Sequence, residues 1–342
     1  MALAVAAAGG CARPPDASVR VSEARRLMGA PWTIVVHAPS ERAGRSAITA
    51  AFAEIERLER VLSDYDPDSE LSRLSAAAPM AEPVAVSDDL WRVLVAAEAC
   101  RNSSAGAFDI SVGSLTTLWR QSRRSGKLPR PDKLAAARLA VGAAAVELDP
   151  LKRTVRLPLP GTRLDPGGIG MGYAADRALD VLADHGIAAA MIDASGDVLV
   201  SNAPPGAAGW RIAVAPLGSG DEGAMILLAN AAVTTSGDAH QAVEIDGVRY
   251  SHIVDPRTGL GVRGPTAASV VAQDATTADA LATAASVLGP VDGCELVAAR
   301  PGCCARFAWR EGTETRWRTT PGWPGRQEGA GSDGEDHSRA KR

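Results

Sequence analysis

His252 and Asp255 stand in the segment Tyr250-Ser251-His252-Ile253-Val254-Asp255-Pro256-Arg257-Thr258-Gly259, where a short apolar strand gives way to a turn. The strand reading rests on Val248, Tyr250 and the Ile253-Val254 pair, the turn on Pro256 and Gly259. The chain has 5 histidines. One placed where a strand enters a rigid loop is a candidate general acid or base, because imidazole titrates near neutrality. A histidine that merely ties down the turn is the plainer alternative. Asp279 and Thr283 lie four residues apart, so on a helix their oxygens leave one face and can converge on a hard cation such as magnesium. An aspartate near a helix start can equally be a capping residue. Further carboxylates occur in Asp193-Ala194-Ser195-Gly196-Asp197 and Thr235-Ser236-Gly237-Asp238, at strand ends and loop starts.

Two glycine-containing segments add binding chemistry. In residues 164–176, Gly167, Gly168, Gly170 and Gly172 lead into a helix whose first amides are available to phosphate or carbonyl oxygens. The spacing is not the dinucleotide fingerprint, and no Gly-Lys-Ser/Thr ending of a nucleotide-triphosphate loop follows. A packed turn without ligand is the competing reading. In residues 106–113, Gly106 gives backbone freedom beside the flat apolar ring of Phe108 and the carboxylate of Asp109. Those eight residues alone read equally well as core. From the residues, the chain is expected to be an enzyme that handles a phosphorylated ligand with a divalent metal.

The elements that must position these groups are legible in outline. Residues 12–27 read as a tether or extended arm, and residues 32–38 as the first strand. Ile48, Ala51, Phe52, Ile55, Leu58 and Leu62 recur at helical spacing across a helix over 41–63, stopped by Pro67. A second helix is expected over 88–102, a basic surface excursion over 121–133, and short strands at 145–148 and 154–157. Helices over 173–185 and 276–288 flank strands at 189–200, 210–215 and 224–235. Strands and helices alternate irregularly, so the expected fold class is α+β, a mixed α/β body rather than a barrel or a plain doubly wound sheet.

Composition sets outer bounds. The 342 residues permit one large or two moderate domains, and the 46% hydrophobic content is ordinary for a globular chain. A net charge of -4 without a lysine-rich run gives no support to nucleic-acid binding. Cys100, Cys294, Cys303 and Cys304 show neither paired zinc spacing nor a complete disulfide framework. Cys11 follows a short apolar run ending in Ala8-Gly9-Gly10, the pattern of a lipoprotein signal, although no basic residues precede it.

In order along the chain these segments resemble the ApbE family of flavin transferases. The resemblance begins at residues 28–32 and takes in 65–74, 106–110, 115–119, 165–176, 235–238, 251–259 and 278–283. It implies a compact catalytic domain over 28–315, a leader or lipoprotein tether over 1–27 and a polar tail over 316–342. It also implies that FAD is split at its pyrophosphate, FMN passes to a Ser or Thr hydroxyl of an acceptor protein, and AMP leaves. Met28, Tyr65, Ala107, Phe108, Asp109, Asp165, Met171 and Ile253 match positions lining the FAD site. The backbone oxygen of Gly168 with Asp279 and Thr283 matches a magnesium site, and His252 is the candidate acid or base. The implied acceptor is a redox or electron-transport protein, and the implied location is outside the cytoplasmic membrane if Cys11 carries lipid, otherwise the cytoplasm. Three positions depart from the family pattern: Met171, often lysine; Ala239, often aromatic; and Ser195, usually glycine. An FAD pyrophosphatase releasing FMN and AMP, and a flavin-binding protein without turnover, are the alternatives.

Overall fold

The computed structural model describes residues 18–214, 217, 223–238 and 241–325. Cys11, Ala239 and the tail beyond residue 325 lie outside the described residues. The chain forms β1 (Val19–Leu27), β2 (Ala30–Ala38), α1 (Glu41–Leu62), α2 (Glu70–Ala76), β3 (Val84–Ala85), α3 (Asp88–Ser103), α4 (Gly113–Ser125) and α5 (Pro131–Arg138). There follow β4 (Glu147–Asp149), β5 (Thr154–Arg156), α6 (Gly170–Asp184), β6 (Ala189–Ala194), β7 (Asp197–Val200), β8 (Trp210–Val214), β9 (Ala224–Leu228) and β10 (Ala231–Gly237). The remainder is β11 (Ala242–Ile245), β12 (Val248–Asp255), β13 (Leu260–Arg263), β14 (Thr266–Ala272), α7 (Ala275–Leu288), α8 (Asp292–Ala298), β15 (Cys304–Glu311) and β16 (Glu314–Thr319).

An eight-stranded sheet in the order β1-β2-β6-β7-β10-β14-β15-β16 organises the molecule, and every neighbouring pair in it is antiparallel. Strand alternation supplies two apolar faces. Trp32, Ile34 and Val36 of β2 join Ile192, Val270 and Phe307 in the main core with α1, α6 and α7. Val35, Val198, Val200 and Val271 point the other way, under the β8–β9 hairpin and Trp323. A small sheet β11-β12-β13 stands apart and carries His252. The fold is therefore α+β, with helices on one face of a mixed set of sheets.

Several local expectations are corrected. The arm read over 12–27 contains β1, an edge strand whose only fully buried residue is Val21; its charged residues obscure the alternation. Met28 and Gly29, with φ of 50° and 75°, close the β1–β2 hairpin. The strand read over 189–200 is two strands, because Ser195 and Gly196 turn the chain at φ of 60° and 101°. Residues 224–235 likewise split at Asn230, and the excursion over 121–133 begins inside α4. The boundary at 315 falls within β16, and Trp323 still belongs to the core.

Candidate active site

The first turn of α6 and the middle of α7 meet at glycines. A Cβ on Gly172 would stand 2.3 Å from the Ala275 carbonyl oxygen and 2.9 Å from Asp279 Cβ. A Cβ on Gly168 would stand 2.7 Å from Thr283 Oγ1. These glycines thus serve the close approach of two elements. The amide of Gly172 donates to Asp279 Oδ2 at 3.1 Å, and so is committed to a side chain of the protein. Asp176 on α6 accepts from the amides of Ala275 and Thr276 at 2.8 and 2.9 Å, fixing the start of α7. The result brings Gly168, Asp279 and Thr283 together, with Ser236 Oγ 3.2 Å from Thr283 Oγ1.

Asp279 is buried, and burial pushes its carboxyl up to about 7 against the opposing Gly172 hydrogen bond. Asp197, at the start of β7, is raised well above the carboxylate range by burial and by the charge of Asp279. Its one described hydrogen bond is from the Thr235 amide at 3.2 Å. Neither acid is ion-paired to Lys or Arg among the described residues. Among the described residues no three His, Cys, Asp or Glu side chains cluster in a metal-holding arrangement. One buried and one half-buried carboxylate, Asp279 and Asp197, beside hydroxyl and backbone oxygens nevertheless form a hard-donor set, which fits magnesium better than a soft metal.

A second group surrounds an open cleft of about 270 Å³ lined by Asp64, Tyr65, Thr117, Arg120, Arg124 and Arg163, among others. Asp165 is buried beside it and accepts from Thr116 Oγ1 at 2.6 Å, the Gly167 amide at 2.9 Å and Arg120 Nη2 at 3.1 Å. The Asp165 amide donates to Ile110 at 2.8 Å, so residues 107–110 run alongside. Ala107 and Phe108 are buried, after a backbone reversal at Ala105 and Gly106. Asp109 is occupied locally, accepting from Ser111 and from Arg101. Tyr65 is 76% exposed. Met28 and Met171 pack from different elements against the main core, and Ile253 is half-buried on β12.

His252 lies where β12 departs from regular pairing with β13, between Tyr250 and Val254. Trp119 Nε1 of α4 donates to Ser251 at 2.9 Å and anchors this strand. Burial and, secondarily, the Arg123 charge lower the imidazole to about 4, with Asp238 opposing. The ring is therefore neutral at physiological pH, and its buried Nδ1 has no hydrogen-bond partner among the described residues. Asp255 is taken up by Arg257 in the following turn, at 2.9 and 3.0 Å.

The sequence reading missed Arg120, Asp64 and Thr116, and Asp197 was visible only as one acid among several. Arg120 immediately follows the 115–119 block and carried no motif of its own. Only the fold reveals its two carboxylate partners.

Residues 28–307 match the profile of the ApbE family. An FAD:protein FMN transferase of Treponema pallidum (strain Nichols) is 33% identical over 278 residues, covering 77% of this chain and 76% of the relative. One from Haemophilus influenzae is 31% identical over 236 residues, covering 67% and 68%. The flavin transferase ApbE from Vibrio cholerae superposes with a TM-score of 0.80 at 26% identity, covering 89% of this chain and 98% of that one. The apo form of Pseudomonas stutzeri flavinyl transferase ApbE gives 0.78 at 28% identity, covering 89% and 95%. Fold and site together define an enzyme, one built like the flavin transferases on which it superposes. The chain belongs to the ApbE family.

Proposed function

We propose that this enzyme transfers FMN from FAD to a Ser or Thr hydroxyl of an acceptor protein, with magnesium required and AMP released. The observation that carries the reading is the convergence of Gly168, Asp279, Thr283 and Ser236 at the glycine contact between α6 and α7. Magnesium would be held there by the Gly168 carbonyl, Asp279 and Thr283, and when bound supplies positive charge against the pyrophosphate. The remaining work falls to the protein. Tyr65, Ala107, Phe108, Asp165, Met28, Met171 and Ile253 would hold the nucleotide, with Asp109 bracing the 107–110 segment. His252, neutral in the folded protein, would take the proton of the accepting hydroxyl. The hydroxyl oxygen then forms its bond to the FMN phosphorus as the bond to the AMP oxygen breaks.

Ser195 departs from the family's usual glycine at a positive φ, so it keeps a turn that glycine would adopt without strain. Met171 removes a positive charge and leaves packing. Both departures leave the oxygen set intact. Chromatography of FAD incubated with the protein and an acceptor protein tests the reading: AMP should form with magnesium and acceptor together, and not with EDTA or without the acceptor. No FAD binding by metal-replete protein would defeat it. We also place the catalytic body outside the cytoplasmic membrane, held by lipid on Cys11. Cys11→Ser should then move the protein out of the membrane fraction, and a wild-type protein already soluble with Cys11 unmodified would defeat that placement. No helix among the described residues is long and apolar enough to cross a membrane.

A further inference from the structure

Tyr65 and Asp165 belong to the flavin-site reading, yet they are held in opposite ways. Asp165 is buried and accepts three hydrogen bonds, whereas the Tyr65 ring is mostly in solvent. Arg120 is the side chain that joins them. From α4 its Nη1 donates to Asp64 Oδ2 at 2.7 Å and its Nη2 to Asp165 Oδ2 at 3.1 Å. Its guanidinium carbon lies 4.4 Å from the centroid of the Tyr65 ring. One planar cation therefore ties two acids and lies against an aromatic ring, a combination that the fork of arginine permits and the ammonium of lysine does not. Asp64, Tyr65 and Arg120 border the same open cleft, and Asp165 directly follows its lining residues Arg163 and Leu164.

An exposed tyrosine free to rotate would lose side-chain freedom on binding a flat ligand, and that loss subtracts from affinity. The guanidinium removes much of the freedom beforehand and leaves the second ring face open. Asp64 and Asp165 also need the cation between them. Burial raises the Asp64 carboxyl, the Asp165 charge raises it further, and Arg120 opposes both. Resting on the FAD reading above, we propose that Arg120 is a positioning residue for the flavin nucleotide. It presents the free face of Tyr65 as a fixed stacking surface for a planar ring and holds Asp165 at the entrance to the glycine segment.

The test uses the full chain and FAD with EDTA present, so that binding is read from flavin fluorescence without turnover. Arg120→Gln should raise the Kd for FAD about five- to tenfold. Arg120→Lys should recover only part of that loss, because it keeps the charge without spanning both acids. In a Tyr65→Leu background, Arg120→Gln should cost a smaller factor than in the wild type, since only its hold on Asp165 is then left to lose. With magnesium and an acceptor protein, the KM for FAD should rise by a larger factor than kcat falls. Should Arg120→Gln fail to fold, Asp64→Asn combined with Arg120→Gln leaves fewer unpaired acids and carries the same prediction. Wild-type affinity in Arg120→Gln, or its full penalty persisting in the Tyr65→Leu background, would overturn the proposal. Wild-type protein that binds no FAD even when metal-replete would remove the flavin reading itself, a different failure seen before any variant is made.

Discussion

The oxygen-lined contact between α6 and α7 and the cleft beside Tyr65 are built by different means. At the contact, positions are set by backbone: Gly168 and Gly172 let two elements approach until an added Cβ would collide, and a main-chain amide holds Asp279. In the cleft, positions are set by long side chains, with Arg120 reaching across to Asp64, Asp165 and Tyr65. The first design suits atoms that must be placed within a fraction of an ångström of reacting groups. The second suits recognition of an extended ligand, where side chains can adjust as it enters. Substitution should therefore damage chemistry at the contact and affinity in the cleft.

The largest effect should come from Asp279→Ala. Turnover with FAD and magnesium is expected to fall by about a thousandfold, as charge at the phosphates is no longer held in place. The variant should stay folded, since removing a buried carboxylate offsets the orphaned Gly172 amide. Calorimetric titration should show the loss of magnesium affinity, and unchanged metal affinity and turnover would detach Asp279 from this role. His252→Ala comes next, with a fall of about a hundredfold in single-turnover rate and little change in FAD affinity. An FAD affinity defect with normal chemistry would move His252 into the nucleotide site. Thr283→Ala should lower kcat by about tenfold, since a neutral oxygen contributes less than a carboxylate.

The smallest effect should be invisible at neutral pH. The folded protein holds His252 at about 4, below its ordinary value of 6.5, and so binds fewer protons than the unfolded chain between those values. That stability is fully present above pH 6.5 and is lost as pH falls towards 4, to a total of about 3 kcal/mol. Thermal melts of His252→Asn should accordingly show a shallower decline than wild type across this range. Parallel declines would mean that the ring is not held neutral by its surroundings.

Much of the contact was legible in the sequence. The four-residue spacing of Asp279 and Thr283 is a helical property, and the run of glycines signals close backbone approach whatever their partner. The family resemblance then supplied Gly168, which no spacing rule singles out. The cleft was less legible. Arg120 meets Asp64 and Asp165 across separations of 56 and 45 residues, and pairing at such distance has no local pattern. The edge strand β1 escaped because solvent-facing charges dilute its alternation, and the two hairpin turns escaped because each places a non-glycine residue, Ser195 or Asn230, at positive φ. Asp197 offered a residue type without a partner until β7 and β10 were paired through Thr235.

The central claim is transfer to a protein, and intact-mass spectrometry of the acceptor tests it most directly. Purified enzyme, FAD and magnesium should convert a candidate electron-transport acceptor to a species heavier by one FMN, with AMP formed in equal amount. Substitution of the accepting Ser or Thr by Ala should abolish the mass gain. Consumption of FAD to free FMN and AMP, with the mass of a competent acceptor unchanged, would contradict the account and make the enzyme an FAD pyrophosphatase.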